Sequence, residues 1–382
     1  MRGFLQLLDC MFLFPLLADA YKLSTMLRVI QNKAASAAKS YYSHSDYMSE
    51  GQELVGYWRG KAAEKLGLSG IVDKQSFDRL CDNLHPETGK RLTLRTKVDR
   101  TVGYDFNFHV PKGVSLAYSV GEDERVLKAF KESVHETMLD VEADAKTRVR
   151  KDDRMTERNT GNLVWSEFVH LTARPVDGVP DPHLHSHCFV FNTTWDDTEK
   201  NWKAGQFREL KRDASYYEAM FHVRLADRMQ DLGYTIKRDG KNWDIGEFSK
   251  TTTDKFSRRS GEIEKMAEEL GIEDAKQKDQ LGAKSRANKT KEYTNTELRE
   301  LWTDSLNETE REELSQVKGL KRSANLSGCF RYLRENRVAI LMEAEPAVVM
   351  DQSDDEPVIA KIVISKLEKP PVKSSTQERA DA

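Results

Sequence analysis

Apolar and polar positions follow two rhythms along this chain. Residues 27–30 (LRVI) alternate as a short strand does. Residues 32–44 are alanine-rich, with Tyr41 and Tyr42 near the end, the composition of a helix. A polar stretch with Gly51 follows as a loop over 45–53. Short helices are expected at 62–66 and 74–83, then an alternating strand at 104–110 (YDFNFHV) closed by Pro111-Lys112-Gly113. Residues 121–149 have the periodicity of a long charged helix. Two strands come next, 162–172 (NLVWSEFVHLT) and 184–192 (LHSHCFVFN). The segment between them is rich in Pro, Gly and Asp, which is hairpin-loop chemistry. Amphipathic helices are expected at 213–232, 256–270 and 297–306, the first two stopped by Gly233 and Gly271. Beyond about Asn307 the pattern fades into an acidic stretch and a polar tail.

Strands and helices in this order fit a mixed α and β fold. In 382 residues with 32% charged positions there is room for a sizeable core and no sign of a multi-span membrane protein. Lys and Arg total 60 against 63 Asp and Glu, a net charge of -3. That excludes a uniformly basic coat for nucleic acid but leaves room for a local basic groove. The four cysteines are scattered without a C-x-x-C pair, which fits a reducing cytoplasm. No G-x-x-x-x-G-K-[ST] phosphate loop is present, so a nucleotide-driven motor is not indicated. The opening segment combines Arg2, an apolar run over 11–17 and Ala18-Asp19-Ala20, the outline of a signal peptide. Asp9 and Pro15 interrupt it, and it is too short to span a bilayer. Residues 1–25 are better read as an extension ahead of a start at Met26, with no stable membrane insertion.

The candidate chemistry is concentrated in one hairpin. Four of the nine histidines, His170, His183, His185 and His187, fall within eighteen residues. Strand side chains two apart share a face. His185 and His187 therefore project together with His183 in line, and an antiparallel return brings His170 beside them. Three neutral imidazoles meeting at one point, with coordination positions left open, make a divalent-metal site suited to polarising a carbonyl or phosphoryl oxygen. Histidines that merely face solvent are the plain alternative. Water is the default nucleophile. Tyr41, Tyr42 and Tyr47 are candidates as well as packing residues, although a phenol of pKa near 10 is only about one-thousandth ionised at neutral pH. Such a nucleophile requires a strongly polarised electrophile, which a metal-bound phosphate supplies. Asp105, in the aromatic strand, is either a solvent-facing residue or the acceptor that orients a metal-bound histidine. Lys112 follows in a tight turn where a cation suits phosphate. Basic clusters at Lys90, Arg91, Arg95, Lys97 and Arg100, at residues 148–151, and at Arg258 and Arg259 could together track a phosphate backbone. Tyr104, Trp165 or Trp202 would then serve as stacking platforms.

These words occur in a recognisable order: AAKSYY (37–42), WRGKAAEKLGLSG (58–70), YDFNFHVPKGVS (104–115), TGNLV (160–164), FVHLTAR (168–174), DPHLHSH (181–187), LGY (232–234) and FSRRSGEIE (256–264). Over residues 26 to about 302 the chain resembles the N-terminal relaxase domain of MobF-type conjugative relaxases, the TrwC/TraI relaxase family within the HUH endonucleases. The resemblance implies an α+β fold, an antiparallel sheet serving as a palm, flanked by helices and followed by a helical C-terminal part. It implies a relaxase domain over 26–306; the chain departs from the family beyond it, where residues 307–382 read as a weakly structured tail in place of the helicase portion that usually follows. It also implies nicking and rejoining of one DNA strand at the nic site of a transfer origin. Tyr41 would attack the scissile phosphate to form a 5′-phosphotyrosine. Tyr42 and Tyr47 are candidates for a second strand transfer, His170, His185 and His187 for the metal triad, and Asp105 for the carboxylate that supports a metal histidine and helps activate the tyrosine. His183 would be a bystander. The covalent link conserves bond energy, so no ATP is needed. The implied cofactor is a divalent metal, magnesium or manganese, with zinc as an alternative. Implied partners are single-stranded and hairpin DNA of the transfer origin, relaxosome accessory proteins and a coupling protein, with Arg95, Lys97, Lys112, Arg174, Arg258 and Arg259 touching DNA. A water-using metal phosphodiesterase and a non-catalytic origin-binding remnant are the competing readings.

Overall fold

A computed structural model describes residues 26–43, 54–93, 100–151, 154–239, 242–285 and 293–318. Its first half runs β1 (Leu27–Asn32), α1 (Ala35–Ser43), β2 (Tyr57–Arg59), α2 (Lys61–Lys65), α3 (Lys74–Cys81), β3 (Gly103–His109), α4 (Lys112–Ser119) and α5 (Glu124–Ala143). Next come β4 (Lys146–Lys151), β5 (Arg154–Asn159), β6 (Trp165–Thr172), β7 (Pro182–Phe191), β8 (Thr194–Asp196) and β9 (Asn201–Lys203). The remainder is α6 (Arg208–Arg212), α7 (Ala214–Asp231), β10 (Ile236–Asp239), β11 (Asn242–Ile245), α8 (Lys250–Lys255), α9 (Arg258–Glu269), α10 (Ala275–Lys284), α11 (Asn295–Asp304) and α12 (Glu308–Lys318).

Five strands form one antiparallel sheet in the order β1-β3-β7-β6-β2. The expected antiparallel sheet with flanking helices is therefore present. Both faces of its central strands are buried, because alternate residues feed two separate cores. Phe106 and Phe108 of β3, Cys188 and Val190 of β7, and Trp165 and Val169 of β6 pack with α4, α5 and α7. The opposite residues, Phe168, Phe189 and Phe191, pack with Ala38 of α1, Ala62 and Ala63 of α2, and Phe77 of α3. Phe77 is fully buried and meets Phe168, Phe189 and Phe191 at ring-centroid distances of 6.4, 5.7 and 5.2 Å. Truncating it to alanine is expected to cost about 3–5 kcal/mol in a denaturant titration, since neighbouring rings cannot collapse into the gap.

Gly60 fixes the approach of α2 to the sheet. Its φ is 96°, and a Cβ there would lie 2.3 Å from the Leu163 carbonyl oxygen, so only glycine fits. Buried Glu142 then accepts the backbone N–H groups of Lys61 and Leu163 at 2.8 and 2.9 Å, tying the start of α2 to the segment before β6.

Several elements depart from the sequence expectation for identifiable reasons. The long helix expected over 121–149 ends at Ala143, and the charged residues after it form the ribbon β4–β5. Val149 and Met155 are the ribbon's apolar members, which is too little alternation to read. Helix α4 is nearly all buried, so it lacks the polar face by which a helix is recognised. Where the pattern fades beyond Asn307, α12 still places Leu314 and Val317 in the first core.

Candidate metal centre

The histidine face of the sheet is built by register. His170 pairs across the ladder with His185, and Phe168 with His187, so His170, His185 and His187 lie on one face of adjacent strands. One ligand nitrogen from each lies within 4.8 Å of the others, and the three rings are buried. Their centroids are 4.9 Å apart for His170–His185, 4.9 Å for His170–His187 and 5.3 Å for His185–His187.

Two neighbours fix which nitrogen faces inward. The His187 Nδ1–H donates to Asp105 Oδ2 at 2.7 Å, and the His185 Nδ1–H donates to the His183 carbonyl at 2.9 Å. Each ring is thereby left with Nε2 as its lone-pair nitrogen. Burial holds His185 down to about 3 and His170 well below the ordinary histidine range, and adjacent rings and Arg174 push the same way. Both are neutral at physiological pH, the form in which imidazole binds a metal. Convergence, neutrality and an oriented outer shell together fit a divalent cation. Asp105 reaches the site because β3 pairs with β7, which sets Asn107 opposite His187 and His109 opposite His185. Asp105 is itself buried.

Sequence reasoning did not nominate His109. It stands four residues after Asp105 on an alternating strand, hence on the same face, and that spacing was the available signal. Its Nδ1 is 3.0 Å from His183 Nε2, and its ring stacks on His185 with centroids 5.5 Å apart and an interplanar angle of 11°. His183, in line as the alternation predicts, thus pairs with His109 and is not among the three converging ligands.

Tyr41 and Tyr42 fall in the last turn of α1, whose Ala38 is buried in the core on the histidine side of the sheet. Tyr47, Arg95 and Lys97 lie outside the described residues. Arg174 is half-buried and near enough to His170 and His185 to lower their basicity. Three other expected DNA contacts have protein partners in this structure. Lys112 Nζ donates to the Pro182 carbonyl at 2.7 Å, and burial pushes it down to about 8. The Arg258 guanidinium donates to Asp181 and to the Val179 carbonyl. Arg259 donates to Glu262, to the carbonyls of Gly282 and Ser285, and to Ser285 Oγ. Trp165 is 1% exposed and belongs to the core, which removes it as a stacking platform for bases. Tyr104 is stacked on Phe207 at 4.4 Å, and Trp202 meets Trp195 edge-on at 5.2 Å.

Comparison with known proteins gives consistent results. The sequence profile of the family described as TrwC relaxase matches residues 34–309. The multifunctional conjugation protein TraI of Escherichia coli K12 is 31% identical over 293 residues, covering 74% of this chain and 16% of TraI. A second Escherichia coli TraI is 32% identical over 286 residues, covering 72% of this chain and again 16% of the relative. The matched region is thus about a sixth of those proteins. Among solved structures, a metal-bound conjugative relaxase TrwC in complex with OriT DNA superposes with a TM-score of 0.65 at 29% identity, covering 78% of this chain and all of that one. TrwC with a 27-mer DNA comprising the recognition hairpin and the cleavage site matches with a TM-score of 0.64 at 28% identity and the same coverage. The strand order, the histidine face and these matches together place the protein: the chain belongs to the TrwC relaxase family of MobF-type conjugative relaxases.

Proposed function

We propose that the chain nicks and rejoins one DNA strand at a plasmid transfer origin by tyrosine transesterification. The observation that carries the reading is the set of His170, His185 and His187 converging on one sheet face, with Asp105 bracing His187. These three histidines would hold the divalent cation, magnesium or manganese, with zinc also compatible with the donor set. Such a cation, when bound, draws charge from a phosphate oxygen and exposes phosphorus to attack.

The chain's own residues supply the rest. Tyr41 is the nucleophile: its Oη forms a bond to phosphorus as the bond from phosphorus to the 3′ oxygen breaks. The phenol proton leaves, and the released 3′ oxygen ends as a hydroxyl. The product is a 5′-phosphotyrosine with an ester bond conserved, so the reverse attack by a 3′-hydroxyl rejoins the strand. Asp105 keeps the His187 ring in one tautomer and orientation. Tyr42 and Tyr47 are candidates for a second transfer. Arg174, beside the histidines, is the candidate contact to the scissile phosphate. The exposed Arg148 and Arg150 of the β4–β5 ribbon are candidates for the flanking backbone, as are Arg95 and Lys97.

The DNA partner is expected to be single-stranded at the cleavage site and to include a hairpin; one solved TrwC complex holds a 27-mer DNA comprising the recognition hairpin and the cleavage site. Relaxosome accessory proteins and a coupling protein are the expected protein partners, and the cytoplasm is the expected compartment. Among the described residues no helix is long and apolar enough to cross a membrane.

Chelation separates chemistry from recognition. Adding a chelator to protein and a labelled single-stranded origin oligonucleotide should abolish cleavage. DNA binding should remain within a few-fold, because affinity derives mainly from phosphate and base contacts. Binding that falls in step with cleavage would overturn that division. Free cleaved products without adduct would instead mark a water-using nuclease, and binding without any cleavage a non-catalytic origin binder.

A further inference from the structure

The ladder between β6 and β7 loses its register at the candidate ligands. His170 pairs with His185, but the next pair is Thr172 with Pro182. A one-residue slip would turn His185 and His187 to the opposite face. Pro180 precedes β7 and Pro182 opens it, and neither has an N–H to give to a ladder.

Side chains from three helices hold this stretch, one residue after another. Arg258, at the start of α9, donates from Nη2 to the Val179 carbonyl at 2.9 Å. Trp302 of α11 donates from Nε1 to the Pro180 carbonyl at 2.9 Å. Asp181, 2% exposed, accepts from Arg258 Nε at 2.8 Å and from the Arg258 backbone N–H at 2.9 Å. Lys112 of α4 donates to the Pro182 carbonyl at 2.7 Å. Residues 179–182 therefore each have a donor from outside the sheet, immediately before the segment that carries His183, His185 and His187.

We propose that this clasp, with the Arg258–Asp181 ion pair at its centre, sets the register of β7 and so positions His185 and His187. Its consequence for metal affinity rests on the reading of the histidines as ligands. Arg258 is then a positioning residue that acts through Asp181. The buried pair is directional: a carboxylate with two N–H bonds from one arginine cannot shift along the strand without losing both.

The test uses the full chain and two readouts. The first is amide hydrogen exchange over residues 183–190 without metal. Arg258→Ala should exchange at least about tenfold faster there than the unaltered protein, while α5 and α7 keep their protection. Arg259→Ala, on the same helix but facing α10, should leave residues 183–190 unchanged. Arg258→Lys, able to restore the charge but not the fork, should recover part of the protection. The second readout is cobalt(II) titration followed by visible absorption. Arg258→Ala and Asp181→Asn should each weaken binding about tenfold, and the double variant no more than the worse single one. Unchanged protection in Arg258→Ala would overturn the clasp. Lost protection together with an unaltered protein that binds no cobalt would leave the clasp standing and sink the metal reading instead.

Discussion

Tyr41→Phe should eliminate the covalent protein–DNA adduct formed with a single-stranded origin oligonucleotide, a loss on the order of 10⁴-fold or more. The substitution removes only the phenolic oxygen, so α1 and the Ala38 packing beneath it should persist, and DNA binding should be retained. Its size follows from the chemistry. A phenol is a weak nucleophile at neutral pH, and nothing else on this helix turn can form the same ester except Tyr42. In Tyr42→Phe the first adduct should form at nearly the original rate. An adduct that survives in Tyr41→Phe and vanishes in Tyr42→Phe would move the nucleophile by one residue. An adduct surviving in both would remove α1 from the mechanism. Denaturing gel electrophoresis with 5′- and 3′-labelled strands distinguishes these results and shows which side of the break carries the protein.

His185→Ala should lower divalent-metal affinity at least about a hundredfold and reduce cleavage to background, because one of three converging imidazoles is lost from a site with no spare ligand in the triad. His183 does not replace it, since its Nε2 is directed to His109. Asp105→Asn should be milder, about 10–100-fold in metal affinity. An amide in place of the carboxylate still meets the His187 N–H but no longer favours one tautomer as strongly. Isothermal titration with manganese measures both. Equal losses in the two variants would make Asp105 a ligand in its own right, and no loss in His185→Ala would disprove the triad.

Much of this site is legible in the chain because strand alternation is simple. The spacing of His185 and His187, the return of His170 on the hairpin, and Asp105 on an alternating strand all follow from a period of two, and the ladder places them so. The same rule applied to His109 would have revealed the pair with His183. Charge proved harder to read than geometry. Lys112, Arg258 and Arg259 resemble phosphate contacts in sequence, and in the fold each also donates to protein acceptors, which are buried for Lys112 and Arg258. Whether a cation meets solvent, DNA or a carbonyl depends on elements far away in the chain, as Asp181 and Arg258 show. The ribbon β4–β5 and the buried helix α4 were obscured by opposite causes. One has too few apolar residues to alternate, and the other is buried on nearly every side, its serines included.

The central claim is that His170, His185 and His187 grip one divalent cation beside the DNA phosphate. An anomalous-scattering map from crystals grown with manganese and a Tyr41→Phe chain bound to origin DNA tests it most directly. The account predicts a single strong peak coordinated by those three side chains and in contact with the scissile phosphate. A peak elsewhere on the protein, or none at the histidines while DNA occupies the site, would contradict it.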